Sequence, residues 1–173
     1  MSATNKNASL AMLQGQIFTN KVTDAAVMEA MAKTPREVFA AENFADVAYL
    51  DAKTPINLGA KENIRFLPEP LVFARMLQLA GIEKHHRVLD VAVATGYTAA
   101  VIALLAKEVV ALESDGEFVG KAAQNLKQIA VKNVNLVVGD LPLGAPEYKP
   151  YDIIIIEGMV EFVPEADRKS TRL

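Results

Sequence analysis

The sequence predicts a mostly parallel α/β sheet preceded by an N-terminal helical cover, and three features carry that expectation. From Arg87 onward, short apolar runs alternate with helix-length segments, and runs such as Val109–Leu112 and Ile153–Ile156 lack polar alternation. Parallel strands covered on both faces have that pattern. A turn of small residues, Ala92 to Gly96, separates the first run from its helix. Before about Ala80 the spacing is instead helical and irregular. The expected organisation is a helical and substrate-cleft segment over 1–80, a nucleoside-binding α/β core over 81–165 and a tail over 166–173, forming one compact domain overall.

The elements follow in order. Thr23 or Asp24 can cap a helix carrying Val27, Met28 and Met31, and Thr34-Pro35 ends it, since the residue before proline avoids helical backbone. Phe39 to Leu67 is irregular, and a loop of that length in a small domain is usually functional or packed as a lid. Pro70 suits the first turn of the next helix and Gly81 its end. Arg87–Val93 is the first strand of the sheet, Tyr97–Ala106 the helix after it and Val109–Glu113 the second strand. A helix from about Gly116 to Ala130 aligns Phe118, Ala122, Leu126 and Ile129 on one face. Val134–Val138 and Tyr151–Glu157 complete the set.

Composition narrows the function classes. Of 173 residues, 51% are hydrophobic and 23% charged, as in an ordinary globular domain. There is no cysteine, which excludes disulfides, thiolate metal sites and a cysteine nucleophile. A net charge of −3 gives no electrostatic reason to expect nucleic acid or an anionic membrane. The polar start and the short apolar runs predict no signal peptide and no spanning helix. A cytoplasmic location is the expectation. His85 and His86 read as a surface turn, and no metal site is expected.

Ala92, Ala94 and Gly96 are spaced two and two, and a dinucleotide fingerprint would place its third glycine one position later, at Tyr97. The two-and-two spacing is that of S-adenosylmethionine (SAM) methyltransferases, whose turn lies against the amino-acid end and ribose of the cofactor. Around it, Asp90 can face the sulfonium or amino group, Glu113 the ribose hydroxyls and Asp140 the adenine amino group. Thr95, Gly96, Tyr97, Ser114 and Leu141 flank these positions. Glu113 and Asp140 are expected to project from neighbouring strand tips into a shared hollow beside Ala94. The alternative is that the small residues only let a helix pack closely and the acids only end strands. Glu157, after Ile153–Ile156, carries the same two readings. If Ala92 or Ala94 needs positive φ, each methyl group costs roughly 1 kcal/mol, and SAM binding is weakened.

Beyond this turn the chain resembles the protein-L-isoaspartate O-methyltransferase family over nearly its whole length. Asn20 to Asp24 and Thr34-Pro35-Arg36-Glu37-Val38-Phe39 resemble that family's N-terminal helix and Pro-Arg-Glu-x-Phe element. Ala48-Tyr49-Leu50-Asp51 and Pro55-Ile56-Asn57-Leu58-Gly59 resemble its Ala-Tyr-x-Asp and Pro-Leu-Pro-Ile-Gly segments, Asp90 to Tyr97 its Glu-Ile-Gly-Thr-Gly-Ser-Gly-Tyr loop, and Tyr151 to Ile154 its Pro-Tyr-Asp strand. The resemblance implies a Rossmann-like SAM-dependent methyltransferase fold. It also implies methyl transfer from SAM to the isoaspartyl carboxylate of a damaged protein. The ester then cyclises to a succinimide, which allows partial return to aspartate.

Two departures stand out. Where the family carries Thr-Ile-Ser-Gln-Pro, this chain reads Phe66-Leu67-Pro68-Glu69-Pro70. The family's threonine and active-site serine positions are thus Phe66 and Pro68, no catalytic residue is assigned, and Glu69 brings negative charge to where a carboxylate would dock. Glu69 and Asp51 are the candidate substrate contacts. A catalytically degenerate binding or assembly protein, or a methyltransferase with another substrate, is the rival reading. The second departure is the end: the family's sheet continues after Val163-Pro164-Glu165 with a helix and two strands. A truncated chain is expected, with an open sheet edge through which a homodimer would form.

Overall fold

The computed structural model describes residues 3–57 and 64–158. Leu58, Gly59, the Val163-Pro164-Glu165 segment and the tail over 166–173 lie outside the described residues. The chain divides into two compact units, Met1–Gly81 and Ile82–Leu173.

The first unit is helical. Helix α1 covers Ala3–Met12, runs through a wider turn over Leu13–Ile17, and is followed by α2, Ala25–Lys33. The sequence reading misses α1 because its polar start gives only a weak apolar stripe. Asp24 is the cap of α2, accepting from Ala26 N and Val27 N. Helix α3 covers Pro70–Ala80, with Pro70 in its first turn and Gly81 in left-handed backbone at its end, as expected. Inside the irregular stretch, β1 (Thr54–Pro55) pairs antiparallel with β2 (Phe66–Leu67).

The second unit holds the sheet. Strands β3 (Arg87–Val91), β4 (Glu108–Glu113), β5 (Val134–Val138) and β6 (Ile153–Ile156) lie in the order β5-β4-β3-β6, all parallel. Helix α4, Tyr97–Ala103, follows β3 and is buried along its whole length. Helix α5, Gly116–Gln128, is capped by Asp115 and buries Phe118, Ala122 and Leu126. Both helices pack on β4 and β5.

Burial differs from the expectation at the edges. Strands β3 and β4 are central and almost fully buried, but β5 has no fully buried residue, with Asn135 and Val138 exposed, and β6 is mostly half-buried. Among the described residues each outer strand pairs on one side only, so part of its surface meets no neighbour. Leu89, Val91, Val110, Leu112, Ala145 and Tyr151 form a core cluster, against which Val137, Leu141 and Ile156 pack. The Tyr151 hydroxyl donates to Ala145 O at 2.5 Å. Burial, then the Glu147 charge, push that hydroxyl's pKa up to about 12.

The chain runs from β3 outward through β4 to β5, then returns to place β6 on the other side of β3. The direction of winding therefore reverses between β3 and β6. In open α/β sheets, ligands bind outside the carboxyl ends of the strands at such a reversal.

Candidate functional site

The turn from β3 to α4 is built on alanines in left-handed backbone. Ala92 has φ 68°, Ala94 φ 48° and Gly96 φ 90°. The condition raised by the sequence is met at both alanines, so each carries a strain of roughly 1 kcal/mol relative to glycine. Hydrogen bonds hold the turn in place. Ala92 N donates to Leu112 O at 2.8 Å, and Gly96 N to Val93 O at 2.8 Å. From α5, Asn125 Nδ2 donates to Thr95 O at 3.0 Å. Gly96 is fixed twice over, because a Cβ there would lie 3.1 Å from Ala122 Cβ in addition to its positive φ. Thr95 and Tyr97 are buried.

Glu113 ends β4 and is wholly buried. Its Oε2 accepts from Ala94 N at 2.8 Å. Its Oε1 accepts from Ser114 N at 2.9 Å, Asp115 N at 3.2 Å and Ser114 Oγ at 3.3 Å. The carboxylate thus ties the turn after β3 to the turn after β4. Three backbone N–H groups and a hydroxyl are among its partners. The Ala94 N–H is buried and would otherwise lack an acceptor, and a charged acceptor strengthens every one of these bonds.

Asp140 lies beyond the tip of β5, beside Glu113 in the chain path, since Gly139 N donates to Glu113 O at 3.0 Å. The two strand tips are neighbours, but their environments differ. Glu113 is enclosed by the turn it holds, whereas Asp140 is exposed. Asp140 precedes the short helical turn Leu141–Leu143, and Leu141 packs on the core cluster.

Asp90, on β3, is wholly buried, and Thr98 Oγ1 donates to its Oδ2 at 2.8 Å. Glu157 follows β6, where its N–H donates to Val91 O at 3.0 Å. Among the described residues, no group hydrogen-bonds Asp90 Oδ1 or Glu157 Oε1, both of which are buried. Burial holds the Asp90 carboxyl up at about 7, opposed by the Thr98 hydrogen bond. Burial, then the Asp90 charge, raise Glu157 well above the usual carboxylate range. The sequence reading misses Thr98 and Asn125. A hydroxyl in the first turn of the helix is the available signal for Thr98, and nothing local marks Asn125.

This pair links protonation to stability. Folded Asp90 titrates at about 7 and an unperturbed aspartate at 3.8, so between those values the native state binds more protons than the unfolded chain. Its stabilising share is complete below the lower value and is lost as pH rises through the upper one. Glu157 acts in the same sense. Melting temperature is therefore expected to fall between about pH 4 and about pH 7. In thermal melts, Asp90→Asn should flatten that slope and gain on the order of 5 °C at the alkaline end.

In the first unit, the family's serine position, Pro68, is half-buried and its carbonyl accepts from Arg36 Nη2 at 2.6 Å. Arg36 is wholly buried and also donates from Nε to Ala48 O at 2.6 Å. Phe66, the threonine position, is largely exposed on β2. Asp51 Oδ1 accepts from Leu71 N at 3.2 Å near the start of α3, and Glu69 O accepts from Phe73 N at 3.0 Å. Among the described residues no cluster of three or more His, Asp or Glu side chains suits a metal ion, and no helix is long and apolar enough to cross a membrane.

Residues 6–169 match the family model for protein-L-isoaspartate(D-aspartate) O-methyltransferase. The chain is 34% identical over 154 residues to the protein-L-isoaspartate O-methyltransferase of Methanoculleus marisnigri, covering 89% of this chain and 68% of that protein. It is 35% identical over 153 residues to protein-L-isoaspartate O-methyltransferase 2 of an Anaeromyxobacter species, covering 88% of this chain and 61% of that one. A solved protein-L-isoaspartate O-methyltransferase superposes on 96% of the chain with a TM-score of 0.84 and 26% identity, and the chain spans 52% of it. A Plasmodium falciparum structure described as a complex with S-adenosyl-L-homocysteine shares the fold, at a TM-score of 0.76 and 18% identity. The family model covers nearly the whole chain and the identity to curated members exceeds 30%, so the chain belongs to the protein-L-isoaspartate O-methyltransferase family.

Proposed function

We propose that the chain binds SAM at the carboxyl ends of β3 to β6 and carries the family's activity, methyl transfer to the isoaspartyl carboxylate of damaged proteins. The observation that carries this reading is the reversal between β3 and β6, with Asp90, the turn, Glu113 and Asp140 all at the adjoining strand tips.

The donor set suits the group. Buried Asp90 Oδ1 has acceptor capacity that no described residue uses, which fits an ammonium. Glu113 ends β4 beside the turn, and a carboxylate oxygen accepts more than one donor, a ribose hydroxyl among them. Exposed Asp140 is available to the adenine amino group. Bound SAM supplies a methyl group on a sulfonium. An isoaspartyl carboxylate is ionised at neutral pH, since an ordinary carboxyl group titrates at about 4, so no protein base is required. What remains for the chain is alignment and electrostatics.

Pro68 and Phe66 favour a second reading. Neither offers a hydroxyl, and proline also lacks the backbone N–H. A family member that binds nucleoside without methyl transfer fits those two positions. Calorimetry with SAM and S-adenosylhomocysteine, followed by methyl transfer to an isoaspartyl peptide and its aspartyl isomer, separates the outcomes. Saturable micromolar binding is expected, and no binding at millimolar ligand overturns the nucleoside reading. Transfer restricted to the isoaspartyl peptide supports the repair activity, and binding without transfer supports the second reading.

A further inference from the structure

The reversal between β3 and β6 carries a feature that the turn and Glu113 do not explain. The ladder pairs Asp90 with Ile155 and Val91 with Ile156, and Glu157 N continues it by donating to Val91 O at 3.0 Å. Glu157 therefore stands two residues beyond Asp90's partner. Side chains alternate along a strand, so Asp90 and Glu157 belong to the same face of the sheet, in a diagonal relation that long side chains bridge. The two acids also feel each other electrostatically: the Asp90 charge is among the causes that raise Glu157.

Thr98 serves only one oxygen of Asp90. Among the described residues nothing donates to Asp90 Oδ1 or to Glu157 Oε1, and both atoms are out of water. Buried polar atoms are nearly always hydrogen-bonded in native proteins. Two such acceptors on adjacent strand tips, on one face and at the winding reversal, call for a donor with more than one N–H and a positive charge.

We propose that Glu157 is a ligand-binding residue that joins Asp90 in a two-carboxylate receptor for a primary ammonium group, that of the amino-acid end of the nucleoside. The assignment rests on the nucleoside reading above. An ammonium offers three donors and no acceptor. It can serve Asp90 Oδ1 and Glu157 Oε1 together, and its positive charge favours the ionised form of both carboxyls, which burial opposes. The competing account is a structural pair that keeps a shared proton and touches no ligand.

Two probes distinguish these accounts: S-adenosylhomocysteine, which has the ammonium, and 5′-methylthioadenosine, which lacks the whole amino-acid end. By calorimetry, Glu157→Gln is expected to weaken S-adenosylhomocysteine about tenfold and to leave 5′-methylthioadenosine unchanged. Glu157→Ala, which removes the carboxyl without adding an amide, should alter the ratio of the two affinities in the same direction. An unchanged ratio in both variants, including an equal loss for both probes, assigns Glu157 a structural place and overturns the proposal while the nucleoside reading stands. If the unmodified protein binds neither probe, that reading falls and the proposal falls with it.

Discussion

Replacing Glu113 by alanine is expected to destabilise the protein by about 4 kcal/mol, lowering its melting temperature by about 10 °C. The magnitude follows from what the carboxylate holds. Three backbone N–H groups and one hydroxyl converge on its two oxygens, at 2.8 to 3.3 Å. Without it, Ala94, Ser114 and Asp115 lose their acceptor, and the Ala94 N–H loses it in a buried place. Glutamine is a sharper probe. Donors approach both carboxylate oxygens, so an amide must turn its NH₂ toward N–H groups on one side or the other. Glu113→Gln should therefore cost roughly half as much as alanine, about 2 kcal/mol. Both variants should also bind S-adenosylhomocysteine more weakly, because the turn loses its tie to β4. Thermal melts within 1 °C of the parent for both variants would show that Glu113 does not hold this turn, a threshold set by the roughly 2–4 °C expected per kcal/mol in a chain of this size.

The double substitution Ala92→Gly with Ala94→Gly is expected to act in the opposite direction, stabilising by up to about 1 kcal/mol net through relief of about 2 kcal/mol of strain at two left-handed positions. Glycine's extra freedom in the unfolded chain offsets part of that relief, since alanine carries a stability advantage of about 0.4–1 kcal/mol wherever its conformation is unstrained. The positive φ values, 68° and 48°, make the relief the larger effect. Removing two methyl groups also widens the space over the turn, so affinity for S-adenosylhomocysteine should rise several-fold. Chemical denaturation gives the stability change and calorimetry the affinity. A double variant less stable than the parent would show that the turn tolerates these alanines without strain.

Much of the sheet is legible in the sequence because its signals are local. Apolar runs mark β3, β4, β5 and β6, and Asp24, Pro70 and Gly81 mark helix ends by side-chain capping, fixed φ and left-handed backbone. The exposure of β5 and β6 is not legible, since a run of valines or isoleucines reads alike at the centre or edge of a sheet. The acids show the same division. Positions along strands follow from the pattern: Asp90 lies on β3, Glu113 ends β4 and Asp140 follows β5. Whether a carboxylate faces solvent or backbone donors depends on how the neighbouring turns fold over it, and Glu113 is enclosed by a turn whose Ala94 lies 19 residues earlier in the chain. The pairing of Asp90 with Glu157 is further from local reach. It exists only because β6 returns to the far side of β3.

Arg36 grips the chain at Pro68 through a carbonyl oxygen. Every amino acid brings the same carbonyl, so this clamp is blind to the side chain it secures, and a serine could give way to proline there without releasing the segment. Leu67 before it is already extended, the backbone that a following proline favours. The anchoring of this segment is therefore indifferent to which side chain stands at residue 68.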